Sequence, residues 1–144
     1  MHLTTYTDYA LRVLIYLNAH IDRRPTIGEI ADKYGISKNH LVKCAQQLGR
    51  AGFLVNTRGR SGGLALARPA DQITLGEVVR RMEPEMDIVP CMDRDNHSCV
   101  ISEVCGMKPV FHEAREAFLR VLDGYSVADI TRNRLSLLRL LPAA

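Results

Sequence analysis

The sequence predicts a mainly α fold with one small β-hairpin, and three features predict it. Apolar residues recur at helical spacing from Tyr9 to Leu17, from Leu41 to Leu48 and from Phe111 to Tyr125. Two short apolar runs between Phe53 and Leu66 are joined by a glycine-rich basic turn, which reads as a hairpin. A hydroxyl followed three residues later by an acid opens helices at Thr26, Thr74 and Ser126. In this order the elements make a winged helix-turn-helix over residues 1–72. Residues 73–144 then hold a cysteine-bearing loop and dimerisation helices.

The first helix starts at Thr5 and ends near His20, with Tyr9, Val13, Tyr16 and Leu17 on its apolar side. With Thr5 as its cap, Asp8 is the acid of a capping box that steadies the first turn. Thr26 caps a short second helix through Lys33, Gly35 supplies a tight turn, and Ser37 caps a third helix to about Gly49. Ala31, Gly35 and Leu41 stand where a helix-turn-helix needs a small residue, a turn glycine and a buried aliphatic.

On the third helix Leu41, Cys44, Ala45 and Leu48 share the inward face, so Cys44 reads as a small core hydrophobe. Ser37 and Lys38 at its start, then Asn39, His40, Lys43, Gln46, Gln47 and Arg50, face outward. Such groups suit base edges and phosphates in a major groove, although alone they equally describe a solvated polar face. The hairpin decides for DNA. Phe53–Asn56 and Gly63–Leu66 read as strands, and their tip carries Arg58 and Arg60, suited to a minor groove or to phosphate.

Thr74 begins a helix to about Met82, after which Pro84 and Pro90 bracket a polar stretch without apolar pattern. Pro109 suits the first position of a long helix whose stripe is Phe111, Ala114, Ala117, Phe118, Val121, Leu122 and Tyr125. Such an exposed stripe most simply packs against its copy in a homodimer, and palindromic operators favour two-fold symmetry. Ser126 caps a short last helix, and the apolar tail Leu135 to Leu141 is expected to fold back onto the dimer body.

Composition narrows the class further. The chain has 144 residues with 47% hydrophobic, enough for a packed core. No apolar run approaches the roughly 18 residues of a membrane span, and the N-terminus lacks signal-peptide features, so a cytoplasmic location is expected. Residues 1–72 carry ten Lys and Arg against five acids, a net of +5, whereas residues 73–144 carry nine against eleven, a net of −2. An anionic partner for the first half fits that asymmetry. There is no paired nucleophile and base, no phosphate loop and no acid pair spaced for catalysis, so an enzyme is not expected.

Cys91, Cys99 and Cys105 crowd the polar stretch in the pattern Cys-x7-Cys-x5-Cys. In a reducing compartment clustered cysteines bind metal or do redox chemistry more often than they form disulfides. Structural zinc prefers closer pairs. An iron–sulfur cluster accepts looser spacing, because its own sulfides fill most of the iron coordination. The positive end of the long helix would favour thiolates in this loop. Iron–sulfur ranks first on spacing, and zinc or metal-free thiols stay open.

Over nearly its whole length the chain resembles the dimeric iron–sulfur winged-helix transcriptional repressors of the NsrR/IscR/RirA type. The matching pieces are Leu3-Thr4-x3-Asp8-Tyr9-Ala10-Leu11-Arg12, Arg58-Gly59-x2-Gly62-Gly63, Thr74-Leu75-x2-Val78-Val79 and the three cysteines. The resemblance implies a homodimer, operator DNA as partner and a cluster in each subunit, 4Fe-4S or alternatively 2Fe-2S. In the IscR-like branch a histidine three residues after the last cysteine completes the ligand set, and here that residue is Lys108. RirA-like proteins share the cysteine spacing but carry Asn at the residue matching Asp8. In the NsrR-like branch an aspartate from the other subunit's first helix is the fourth ligand, and Asp8 matches it, with His97 and His112 as competitors. The resemblance thus implies a repressor whose operator affinity responds to nitric oxide. The alternatives are the same architecture sensing iron supply or redox state, and a cluster-free regulator that reports thiol oxidation by protein interaction.

Overall fold

A computed structural model describes residues 2–57, 59, 62–93, 95 and 99–143. The expected contacts Arg58, Arg60 and His97 lie outside those residues. Helix α1 spans Thr5–Ala19 and is the pillar of the fold, burying Ala10, Val13, Leu14 and Leu17. Helices α2, Ile27–Tyr34, and α3, Lys38–Arg50, follow. Strands β1, Leu54–Thr57, and β2, Gly63–Leu66, form one antiparallel hairpin with Leu54 opposite Leu66 and Thr57 opposite Gly63.

Helix α4 spans Leu75–Met82, and the long loop that follows holds a 3-10 turn at Pro90–Met92. Helix α5 runs over Met107–Asp123, then α6 over Val127–Ile130 and α7 over Arg134–Leu140. Helices α3, α4 and α6 and strand β2 all pack on α1. One apolar cluster therefore joins Leu14, Leu41 and Phe53 to Ile73, Val78 and Val127.

Local capping chemistry explains most helix starts. Thr26, Thr74 and Ser126 each accept a backbone N–H three residues on, and Ser126 with Asp129 closes a full capping box. The Asp129 carboxyl is pushed down to about 2 by the Ser126 hydroxyl and backbone N–H, with Arg132 adding to it. Gly35 ends α2 in the left-handed conformation at φ 63°, the turn a helix-turn-helix needs. The starts of α4 and α6 lie side by side, with Leu75 N donating to Tyr125 O at 2.8 Å and Val127 N to Ile73 O at 2.9 Å.

Several expectations are corrected. The cap of α1 is Thr4, not Thr5: its Oγ1 accepts from Thr7 N at 3.4 Å. Glu83, 79 residues away, selects it, because its Oε1 accepts from Thr4 N at 2.7 Å and from Thr4 Oγ1 at 3.1 Å. Asp8 thus falls one position past the capping-box acid, and its carboxylate accepts instead from Arg12 Nε at 2.8 Å. Strand β1 begins one residue later than expected, because Phe53 is buried and closes α3 with its N–H on Leu48 O at 3.0 Å.

Helix α5 begins at Met107, two residues ahead of Pro109. Pro109 then sits third, where a missing N–H still costs no helical bond. The tail does not end at α6. It forms α7 and returns to the winged module of its own chain, where Leu141 packs on the core and its carbonyl lies 2.9 Å from His20 Nε2. Arg134 fastens it further, donating to Ala19 O at 2.7 Å and pairing with Asp22.

Under the helix-turn-helix lies a polar network. The Tyr16 hydroxyl donates to Glu29 Oε1 at 2.8 Å, Arg23 pairs with Glu29, and the His20 ring lies 4.3 Å from the Tyr16 ring. Burial and the Glu29 carboxylate push the Tyr16 phenol up to about 12, and burial lowers His20.

Candidate nucleic-acid interface and cysteine loop

Helix α3 presents the surface its periodicity predicts. Leu41, Cys44, Ala45 and Leu48 are buried, while Ser37, Lys38, Asn39, His40, Lys43, Gln46, Gln47 and Arg50 are all exposed. Cys44 is fully buried with its thiol pushed up to about 12 by burial, so it is a core residue. His40 leans towards Tyr6 with ring centroids 6.4 Å apart. Gln47 also has a structural partner, because its amide reaches Arg81 O at 3.4 Å.

The hairpin stands beside this helix, so a duplex could meet α3 and the hairpin tip together. Across that tip Gly62 N donates to Gly59 O at 2.9 Å, and Gly59 has φ 113°, a conformation that favours glycine. Sequence reasoning missed Arg24 here. Its Nη1 donates to Thr57 Oγ1 at 2.6 Å, at the last rung before the tip. The only sequence signal was an extra arginine before Pro25.

The cysteine loop leaves α4 at Glu83 and reaches the cap of α5 at Gly106. Its first part is anchored: Met92 is buried, Ile88 N donates to Met92 Sδ at 3.4 Å, and Arg115 Nη1 of α5 pairs with Asp87 at 2.8 Å. Its later part is turns, with Ser102 N on Cys99 O at 3.1 Å and Val104 N on Ile101 O at 3.1 Å. Val100, Ile101 and Val104, on this part of the loop, are exposed aliphatic side chains.

Cys91, Cys99 and Cys105 are free and partly exposed. Among the described residues no three ligand side chains are already gathered around one point. The donor set itself suits a thiophilic iron or zinc centre: three unpaired thiols on one loop, the last directly before the cap of α5. Of the fourth-ligand candidates, Asp8 is half exposed on α1 beside Arg12. His112 has Nδ1 at 3.4 Å from Arg115 Nη2, so that nitrogen's lone pair is engaged.

Sequence comparison decides the family. The profile of Rrf2, described as an iron-dependent transcriptional regulator, matches residues 3–133. The chain belongs to the Rrf2 family. Among Rrf2 relatives, it is 47% identical to the HTH-type transcriptional regulator NsrR of Bacillus subtilis, over 98% of this chain and 97% of that protein. It is 44% identical to the NsrR of Geobacillus kaustophilus over 98% and 97%.

Solved Rrf2 structures share the fold. The global cysteine regulator CymR of B. subtilis superposes with a TM-score of 0.73 at 22% identity, covering 92% of this chain and 98% of that one. T. potens IscR superposes with a TM-score of 0.72 at 22% identity, covering 92% and 88%. The chain is thus an HTH-type transcriptional regulator with the winged-helix fold, and no helix among its described residues is long and apolar enough to cross a membrane.

Proposed function

We propose that this Rrf2 chain is a homodimeric, cytoplasmic repressor whose grip on operator DNA depends on an iron–sulfur cluster and responds to nitric oxide. The observation that carries the reading is the set of three free, partly exposed thiols on the loop joining α4 to α5. Cys91, Cys99 and Cys105 would hold the cluster, 4Fe-4S before 2Fe-2S, with Asp8 of the partner subunit as fourth ligand. When bound, such a cluster supplies iron at which a diatomic gas competes with the weakest protein ligand.

The chain's own residues do the rest. Lys38, Asn39, His40, Lys43 and Gln46 face outward from α3 and would meet base edges and phosphates, while Ser37 opens the helix and Gln47 extends the face. Arg58 and Arg60, from the sequence joining the two strands, would add contacts of their own. The stripe on α5 supports the dimer: Val121 is 62% exposed, and so is Tyr125 just past the helix end at 53%, whereas Arg115 and Leu119, on another side, face the chain itself. A carboxylate reaching from one subunit's α1 to the other's loop would fix the spacing of the two α3 helices. A full switch from bound to free needs about 5.5 kcal/mol of differential stabilisation.

The test is anaerobic purification with iron and sulfide analysis, then operator binding titrated separately with nitric oxide and with an iron chelator. Release by nitric oxide at low equivalents supports the reading. Release by chelator alone moves the signal to iron supply or redox state, as in the IscR-like and RirA-like alternatives. Colourless protein that binds its operator unimpaired favours a cluster-free regulator acting through the three exposed thiols.

A further inference from the structure

A two-stranded hairpin of four rungs is marginal by itself, so its direction is set by what holds it. Its base is held by the core, where Phe53, Leu54 and Leu64 are buried. The last rung, Thr57 opposite Gly63, lies three residues further out, about 10 Å along the strand. From Val55 to Thr57 the first strand is exposed, so apolar packing does not steer it.

The turn between α1 and α2 holds that end of the hairpin by two hydrogen bonds and a close approach of backbones. Arg24 Nη1 donates to Thr57 Oγ1 at 2.6 Å, and Thr57 Oγ1 donates in turn to Gly63 O at 3.3 Å. Leu64 N donates to Pro25 O at 2.9 Å. Gly63 lies so close that a Cβ there would stand 2.3 Å from Arg24 O and 2.9 Å from Pro25 O. A hairpin with any other residue at that position would have to swing outward.

We propose that Arg24 is a positioning residue for DNA binding: with Thr57 and Gly63 it locks the hairpin to the α1–α2 turn and sets where the tip meets the duplex. This rests on the DNA-binding part of the reading above and is independent of the cluster. Arg24 acts through Thr57, whose hydroxyl accepts from its Nη1.

The experiment measures binding of the full-length protein to a 30-base-pair random duplex at low salt by fluorescence anisotropy. The variants are Arg24→Ala, Arg24→Lys, Thr57→Val, the tip pair Arg58→Ala with Arg60→Ala, and Arg24→Ala added to that pair. Loss of one exposed hydrogen bond that steadies the hairpin predicts about fivefold weaker binding for Arg24→Ala. Thr57→Val, which keeps shape and strand preference, should reproduce it, and Arg24→Lys should recover part of the loss. Added to the tip pair, Arg24→Ala should weaken binding no further, because a displaced tip without arginines has nothing left to lose.

Thermal midpoints should fall by no more than a few degrees, about what one lost hydrogen bond gives, which separates positioning from loss of fold. Full affinity in Arg24→Ala or Thr57→Val, or a loss that adds completely to that of the tip pair, overturns the proposal. An unaltered protein that fails to bind the duplex overturns the DNA-binding reading itself, and this proposal with it.

Discussion

Arg80 and Asp123 close over Gly76, with Nη1 to Oδ1 at 2.6 Å and Nη2 to Oδ2 at 2.7 Å. The guanidinium holds the Asp123 carboxyl below its usual range. A Cβ on Gly76 would stand 2.0 Å from Asp123 Oδ1, so the glycine allows the end of α5 to dock on α4. That contact fixes the far end of the helix whose near end follows the cysteine loop.

Gly76→Ala should cost about 1 kcal/mol or less, because the methyl displaces only the exposed Asp123 carboxylate from its surface pair and alanine's helix preference offsets part of that loss. Combined with Asp123→Ala the loss should shrink, because the obstructing carboxylate is gone. Urea unfolding of the two single variants and the double variant reads both effects. A fully additive double variant would show that Asp123 is not what the methyl meets.

The four cysteines should divide three to one in reactivity. In the metal-free native protein Cys91, Cys99 and Cys105 are partly exposed and should react with a thiol reagent such as DTNB, whereas buried Cys44 should react only on unfolding. Counting fast and slow thiols with and without denaturant checks this. Cys44→Ala should leave the fast count at three.

Asp8 gives a clean separation of stability from ligation. Its pair with Arg12 is an exposed i, i+4 contact, so Asp8→Ala should cost about 0.5 kcal/mol or less in the metal-free protein. Thermal unfolding measures that cost. A large loss of iron content in the same variant would then report a ligand role rather than a damaged helix.

Acid should weaken the fold in two stages. His20 is lowered by burial, so the unfolded chain binds its proton more readily, and stability falls as pH drops below the unfolded value of 6.5. Asp129, held at about 2, contributes stability above the ordinary aspartate value of 3.8 that is lost as pH falls through about 2. Thermal midpoints from pH 7.5 to 5 should decline in the parent. In His20→Gln, which can keep a donor for Leu141 O, the decline in this window should be smaller.

The pieces legible in the sequence were those fixed within a turn or two of chain. Thr26, Thr74 and Ser126 cap their helices because a side-chain oxygen and an N–H three residues on need no outside help. The inward set Leu41, Cys44, Ala45 and Leu48 followed from the helical period, and Gly35 from its turn. Thr4 was misplaced by one residue because Glu83, far along the chain, selects it. Arg24 was invisible as a positioning residue, since nothing in its neighbourhood announces Thr57, 33 residues on.

By itself the sequence determined the helix-turn-helix and its outward polar face, the hairpin, and three thiols on one loop, because periodicity, capping and turn chemistry act between near neighbours. Only the tertiary structure decided that the tail returns to its own winged module through His20 and Arg134. It likewise decided that the α1–α2 turn grips the last rung of the hairpin. Those contacts join residues remote in sequence, and their partners are chosen by how packed elements meet rather than by any local pattern.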